Sequence, residues 1–152
     1  MRADADQDRV AEAVAAAGIA VVALPATNLY LQGRDRQQAM PRGVTAVRAL
    51  RRAGVTVAAG ADNLQDPFNP VGRACPFETA ALMVLTAHLQ PIDAWNTVSE
   101  AAARATGFGT ATVASGASAD LLAVRAGSLR EAIAFGPADR IVWRAGQCQD
   151  GL

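Results

Sequence analysis

Apolar residues recur at helical spacing in some stretches of this chain and run continuously in others. Val10, Val14 and Ala17 fall on one helical face across residues 6–17, and Gly18 follows as a stop. Residues 19–24 (IAVVAL) are apolar without alternation and end at Pro25, as expected of a strand covered on both faces. Residues 26–42 read as a long polar loop carrying Gly33, Arg34, Arg36 and Arg42. Helical spacing resumes at Val44, Val47 and Leu50, Gly54 ends it, and 55–60 (VTVAAG) forms a second strand of the buried type. After a loop to residue 75 come an apolar helix over 76–89 and a helix opened by Pro91 that runs to about Thr106. The tail changes character. Residues 119–124 and 139–146 are strand-like, with one short helix between them.

This order is the βα signature of a parallel α/β sheet or barrel. Two parallel-type strands cannot close a barrel, however, and two terminal strands make no stable sheet alone. The chain is therefore expected to be part of something larger, or of an oligomer that completes itself, and to expose faces meant for absent neighbours.

Composition narrows the partners. The 152 residues are 51% hydrophobic and 18% charged, with 14 basic and 14 acidic side chains. A neutral chain carries no footprint for a nucleic-acid backbone. No apolar run reaches the roughly 20 residues of a membrane span, and the polar start is unlike a signal peptide. Cys75 and Cys148 fit no metal or disulfide spacing, so a reduced cytoplasmic compartment is the expectation.

Candidate chemistry concentrates in AAGADNLQDPFNP, residues 58–70. Asp62 stands just past the end of a buried strand, where barrel enzymes place catalytic groups, with Asn63 beside it and Asp66 a few residues on. One carboxylate can bind a divalent cation, act as a general base, or simply cap the following turn; all three readings stay open. The other candidates are weaker. His88 reads as a helix-end or core histidine, and Cys75 before Pro76 as a buried or capping residue. Ser99, Ser115, Ser118 and Ser128 lack a nucleophile-elbow context. No glycine-rich first turn supports a doubly wound nucleotide-binding domain.

GADNLQDPFNPVGR resembles the strand-eight segment of cytosine-deaminase-like members of the metal-dependent amidohydrolase superfamily, in which an aspartate precedes a D-P-aromatic turn. LPATNLYLQGR (24–34) is similar to that family's strand-seven segment, and PRGVTAVRALRRAGVTVAAG (41–60) to its connecting helix and eighth strand. VSEAAARATGF and SGASADLLAVRAG resemble the closing helix and returning strand of the wider superfamily. The resemblance implies the C-terminal part of a TIM-type (β/α)8 metallo-hydrolase barrel over residues 1–107. Residues 108–152 would be a tail returning to the small accessory β-domain. It also implies hydrolysis of a C–N bond in a heterocycle or amide by a metal-activated water. Asp62 would be the catalytic, metal-touching residue, and Asn63 and Phe68 would line the substrate pocket.

Two departures qualify that implication. Family members often carry an acidic residue where Asn63 stands; the amide offers both donor and acceptor atoms, which suits related heterocycles or amides besides pyrimidines. The family also holds its zinc or iron through four histidines, and the lone His88 matches none of their positions; one aspartate cannot hold such a metal. The expectation is a C-terminal fragment, inactive and metal-free alone, that an N-terminal partner chain or homo-oligomer would complete. The competing expectation is a non-catalytic α/β binding or scaffold module.

Overall fold

The computed structural model describes residues 4–109 and 111–149. Helix α1 (Asp4–Ala16) ends just before Gly18, whose φ of 65° lies in the left-handed region that a side chain would strain. Strand β1 (Val21–Ala23) runs parallel to β2 (Val57–Ala59) in the register Val21↔Val57, Val22↔Ala58, Ala23↔Ala59. Backbone bonds close the pair at both ends, Val21 N to Thr56 O at 3.0 Å and Gly60 N to Ala23 O at 2.9 Å. Both strands are shorter than the apolar runs that announced them.

The stretch from 26 onward corrects the expectation of a loop, because helix α2 (Pro25–Leu31) opens there. Proline pre-sets the first helical φ and has no N–H to leave unpaired. Pro25 and Thr27 are buried, and the helix packs on α4 (Pro76–Ala87). The free carbonyls at its end are taken by Arg42, whose Nη1 donates to Leu29 O at 3.0 Å and Gln32 O at 3.1 Å. Arg34 lies over the Tyr30 ring at 5.4 Å. Two of the three loop arginines thus serve the helix beside them. Helix α3 (Val47–Arg52) then leads to β2, whose three residues are all buried.

The helix expected from Pro91 to Thr106 is two helices, α5 (Pro91–Val98) and α6 (Glu100–Thr106), broken at Ser99. Ser99 Oγ donates back to Trp95 O at 2.8 Å, the kind of side-chain bond that competes with the helical ladder and bends it. The core spans these layers: Val47, Leu50, Val57, Phe77, Met83, Ala94 and Ile133 are buried together. Its many alanines let the helices approach closely. Phe77, at 2% exposure, stacks on Trp95 with ring centroids 4.9 Å apart.

In the tail, β3 (Leu121–Val124), β4 (Arg140–Arg144) and β5 (Gln147–Gln149) form an antiparallel sheet in that order. The third strand was not apparent in the sequence, since Gln147–Gln149 is polar and wholly exposed. A two-residue turn creates it, with φ of 49° at Ala145 and 79° at Gly146, the mirror-image geometry that suits a hairpin. Asp120 secures the turn, accepting from Ala145 N at 2.8 Å and Ser118 Oγ at 2.6 Å. Helix α7 (Leu129–Phe135) ties the tail to α4 and α5 through buried Ala132 and Ile133. Its N-cap Ser128 accepts from Glu131 N at 3.1 Å.

The β1–β2 pair has no further strand on either side among the described residues. Ile19, Val22, Leu85, Ile92, Phe108 and Phe135 are exposed, which matches the expectation of apolar faces without neighbours. No helix among the described residues is long and apolar enough to cross a membrane.

Candidate functional site

Strand β2 delivers the chain, through Gly60, into the loop 61–75 at its C-terminal end, where β1 also delivers the first turn of α2. Parallel strands bring such loops to one side of a sheet, and side chains there can converge. Asp62 lies three residues past the last paired residue of β2. Its φ is 61°, left-handed for a residue with a side chain, and it is exposed. No hydrogen bond or ion pair engages its carboxylate among the described residues. Asp62 therefore does not cap the following turn.

Asp66 does. Its Oδ1 accepts from Phe68 N at 2.9 Å and Asn69 N at 3.1 Å, and its Oδ2 accepts from Asn63 Nδ2 at 2.6 Å. A carboxylate can only accept, so the Asn63 amide must turn its NH₂ toward Asp66, leaving Oδ1 as the acceptor for other groups. Burial acts to raise the Asp66 carboxyl, but the bonds from Asn63, Phe68 and Asn69 outweigh it and hold it below the ordinary range. Asn63 and Phe68 are thus tied to one carboxylate, while Asp62 stands apart from it. Phe68 is 55% exposed.

A cleft of about 220 Å³ opens between this loop, α2 and the start of α4. Ala61, Asn69, Gly72, Tyr30, Leu29 and Leu82 line it. Arg73 closes its rim, donating from Nε and Nη2 to the two carboxylate oxygens of Glu78 at 3.2 and 3.0 Å. Tyr30, Asn69, Gly72 and Arg73 were not singled out from the sequence, although the last three lie in or directly after the segment that drew attention to Asp62. On α2, the Thr27 hydroxyl is buried with no hydrogen-bond partner among the described residues.

His88 is the left-handed C-terminal cap of α4, with φ of 54°, and is exposed, which fits a helix-end histidine. Cys75 occupies the N-cap of α4 without capping through its side chain; its Sγ accepts from Arg140 Nη2 at 3.6 Å.

The amidohydrolase family pattern matches residues 1–149. The chain belongs to the amidohydrolase family. This amidohydrolase chain is 38% identical over 141 residues to a pterin deaminase of Rhizobium rhizogenes, covering 90% of its own length and 32% of the relative's. Its fold matches a 5-methylcytosine deaminase from Klebsiella pneumoniae bound to 5-fluorocytosine, with a TM-score of 0.84, 28% identity, and coverage of 99% of this chain and 38% of that one. It also matches N-isopropylammelide isopropylaminohydrolase from Burkholderia multivorans at a TM-score of 0.78 and 31% identity, over 97% and 35% of the two chains. The amidohydrolase chain thus spans about a third of the length of these relatives.

Amidohydrolases generally use a divalent metal. Among the described residues no group of three or more His, Cys, Asp or Glu could hold a metal ion. The described residues of this amidohydrolase chain do not by themselves fit a zinc or iron centre. Asp62 offers one carboxylate, where a catalytic zinc centre takes about three protein ligands.

Proposed function

We propose that this chain supplies the closing part of an amidohydrolase active site that removes an amino or alkylamino group from a small nitrogen heterocycle. The observation that carries the reading is Asp62. A carboxylate stands on left-handed backbone past the end of a buried parallel strand, without a competing partner among the described residues, in a chain of this family. In that role Asp62 exchanges a proton with the attacking water or the leaving amine, and can contribute one oxygen to a metal whose other ligands lie elsewhere. Asn63, presenting its amide oxygen, and Phe68, presenting an exposed ring, would meet the heterocycle. An amide in place of an acid widens the range of rings beyond pyrimidines, in line with relatives that act on pterin and on N-isopropylammelide.

In this reading β1 and β2 are the last two strands of a (β/α)8 barrel over residues 1–107. Residues 108–152 form the return to an accessory β-domain. The open edges of the β1–β2 pair, the exposed Val22 and the orphaned Thr27 hydroxyl support a complement of further barrel strands. That complement would bring the metal-binding histidines, on the same polypeptide or on a partner.

The test is complementation. The chain is co-expressed with the segment of a deaminase relative that it does not cover, and ammonia release from cytosine, 5-methylcytosine and pterin is measured. Turnover is expected only with both segments, and Asp62→Asn should lower it by about 10²–10⁴-fold, the usual range for one general acid–base group. Asparagine tolerates left-handed backbone, so this loss is chemical rather than conformational. Stable association without turnover, or turnover indifferent to Asp62→Asn, would favour a scaffold role instead.

A further inference from the structure

The loop that carries Asp62 is organised around a carboxylate to which the proposed chemistry assigns no part. Asp66 gathers Asn63 Nδ2 at 2.6 Å, Phe68 N at 2.9 Å and Asn69 N at 3.1 Å. Its own backbone carbonyl accepts from Asn69 N, also at 3.1 Å. Asn69 is 5% exposed, and its carbonyl accepts from Gly72 N at 3.1 Å. Gly72 in turn is pressed against the backbone of Asn63: a Cβ there would stand 2.1 Å from Asn63 O. Asn63, the residue directly after Asp62, is therefore gripped twice, through its side chain by Asp66 and along its backbone by Gly72.

Asp62 needs such a grip. A left-handed φ is uncommon for residues with side chains, although aspartate adopts it more readily than most, and among the described residues its carboxylate makes no bond that would hold it there. The constraint has to come from its neighbours. We propose that Asp66 is the positioning residue of this site, fixing through Asn63 the backbone conformation that presents Asp62. The inference rests on the reading of Asp62 as the proton-transfer group, but the positioning itself can be tested without it.

Asp66→Asn keeps the size of the side chain and replaces one acceptor oxygen by a donor facing the Asn63 amide. Three measurements follow. NMR of the full chain reads the intraresidue Hα–HN contact of Asp62 that marks left-handed backbone, together with the Asn63 side-chain amide signals. Thermal unfolding reads global stability. In the complemented enzyme, kcat and KM are measured separately. The variant is expected to lose the left-handed signature at Asp62 with little change in unfolding midpoint. It should lower kcat by about 10²-fold, the effect of a roughly 1 Å misplacement, with KM nearly unmoved. Asn63→Ala, which removes the grip from the other side, should reproduce the NMR change. If the Asp62 signature survives both substitutions, or if KM rises while kcat holds, Asp66 does not position Asp62. If the wild-type complement shows no turnover, the catalytic reading falls while the NMR result still decides the positioning.

Discussion

Gly72→Ala isolates the effect of close packing in the site loop. Gly72 is buried, and its φ lies outside the left-handed region, so alanine can adopt its backbone conformation. What alanine cannot do is fit. The new Cβ would sit 2.1 Å from Asn63 O and 2.8 Å from Asn69 Nδ2. Non-bonded carbon and oxygen do not approach below about 3.0 Å, so the strand of loop carrying Asn63 must retreat by roughly 0.9 Å in a close-packed setting. Overpacking of this kind costs about 1–3 kcal/mol, against a gain of about 0.4–1 kcal/mol from a stiffer unfolded chain, leaving a net loss centred on about 1.3 kcal/mol and reaching about 2.6 kcal/mol. Gly18→Ala is the control. It meets open space but carries a φ of 65°, and its backbone strain of about 1–2 kcal/mol, less the same unfolded-chain gain, should leave a net loss of about 1 kcal/mol. Urea unfolding should therefore show comparable losses for the two variants. Backbone amide shifts at Asn63, Asp66 and Asn69 should move only in Gly72→Ala, and only that variant should lower turnover in the complemented enzyme. Wild-type stability with unmoved loop amides in Gly72→Ala would refute the packing argument.

Two further expectations concern the frame. Phe77→Ala should cost about 3–5 kcal/mol by urea unfolding, since the ring is buried, stacked on Trp95 and covered by Arg140 at 4.9 Å; a loss below about 1 kcal/mol would show that the cluster does not anchor the core. The tail sheet should loosen in acid. Hydrogen bonds from Ser118 and Ala145 N outweigh the opposing effect of burial, and with the positive charge of Arg144 they hold the Asp120 carboxyl below its ordinary value of 3.8. Its stabilisation is thus present above that value and fades as pH falls below it. Trp143 fluorescence should report the change below about pH 4, and Asp120→Asn should remove it.

Much of this architecture was legible because hydrophobic period and punctuation agree. The run IAVVAL closed by Pro25, the glycine stops at 18 and 54, and Pro76 and Pro91 at helix starts all signal locally what the chain does. The misses share a cause: they depend on tertiary or turn chemistry rather than on period. Helix α2 is too short for a periodic signal and depends on packing against α4 and on the distant Arg42. The break at Ser99 is a single side-chain bond inside a strongly helical composition. Strand β5 exists because two residues turn left-handed, while its own residues are polar. At the candidate site, the sequence singled out the loop but not its division of labour. Asp62 and Asp66 look alike in one dimension; only the geometry shows one carboxylate engaged by three donors and the other without partners among the described residues.

The pairing of Val21 with Val57 also sets an order of events in folding. Helices α4 and α5 follow one another in sequence and pack directly together, so they can form early with little loop-closure entropy. The parallel pair must bring together residues separated by α2, the loop after it and α3, for only three rungs of ladder in return. Non-local pairings of this kind slow folding, and β1 will join late, onto a helical platform that already shelters β2.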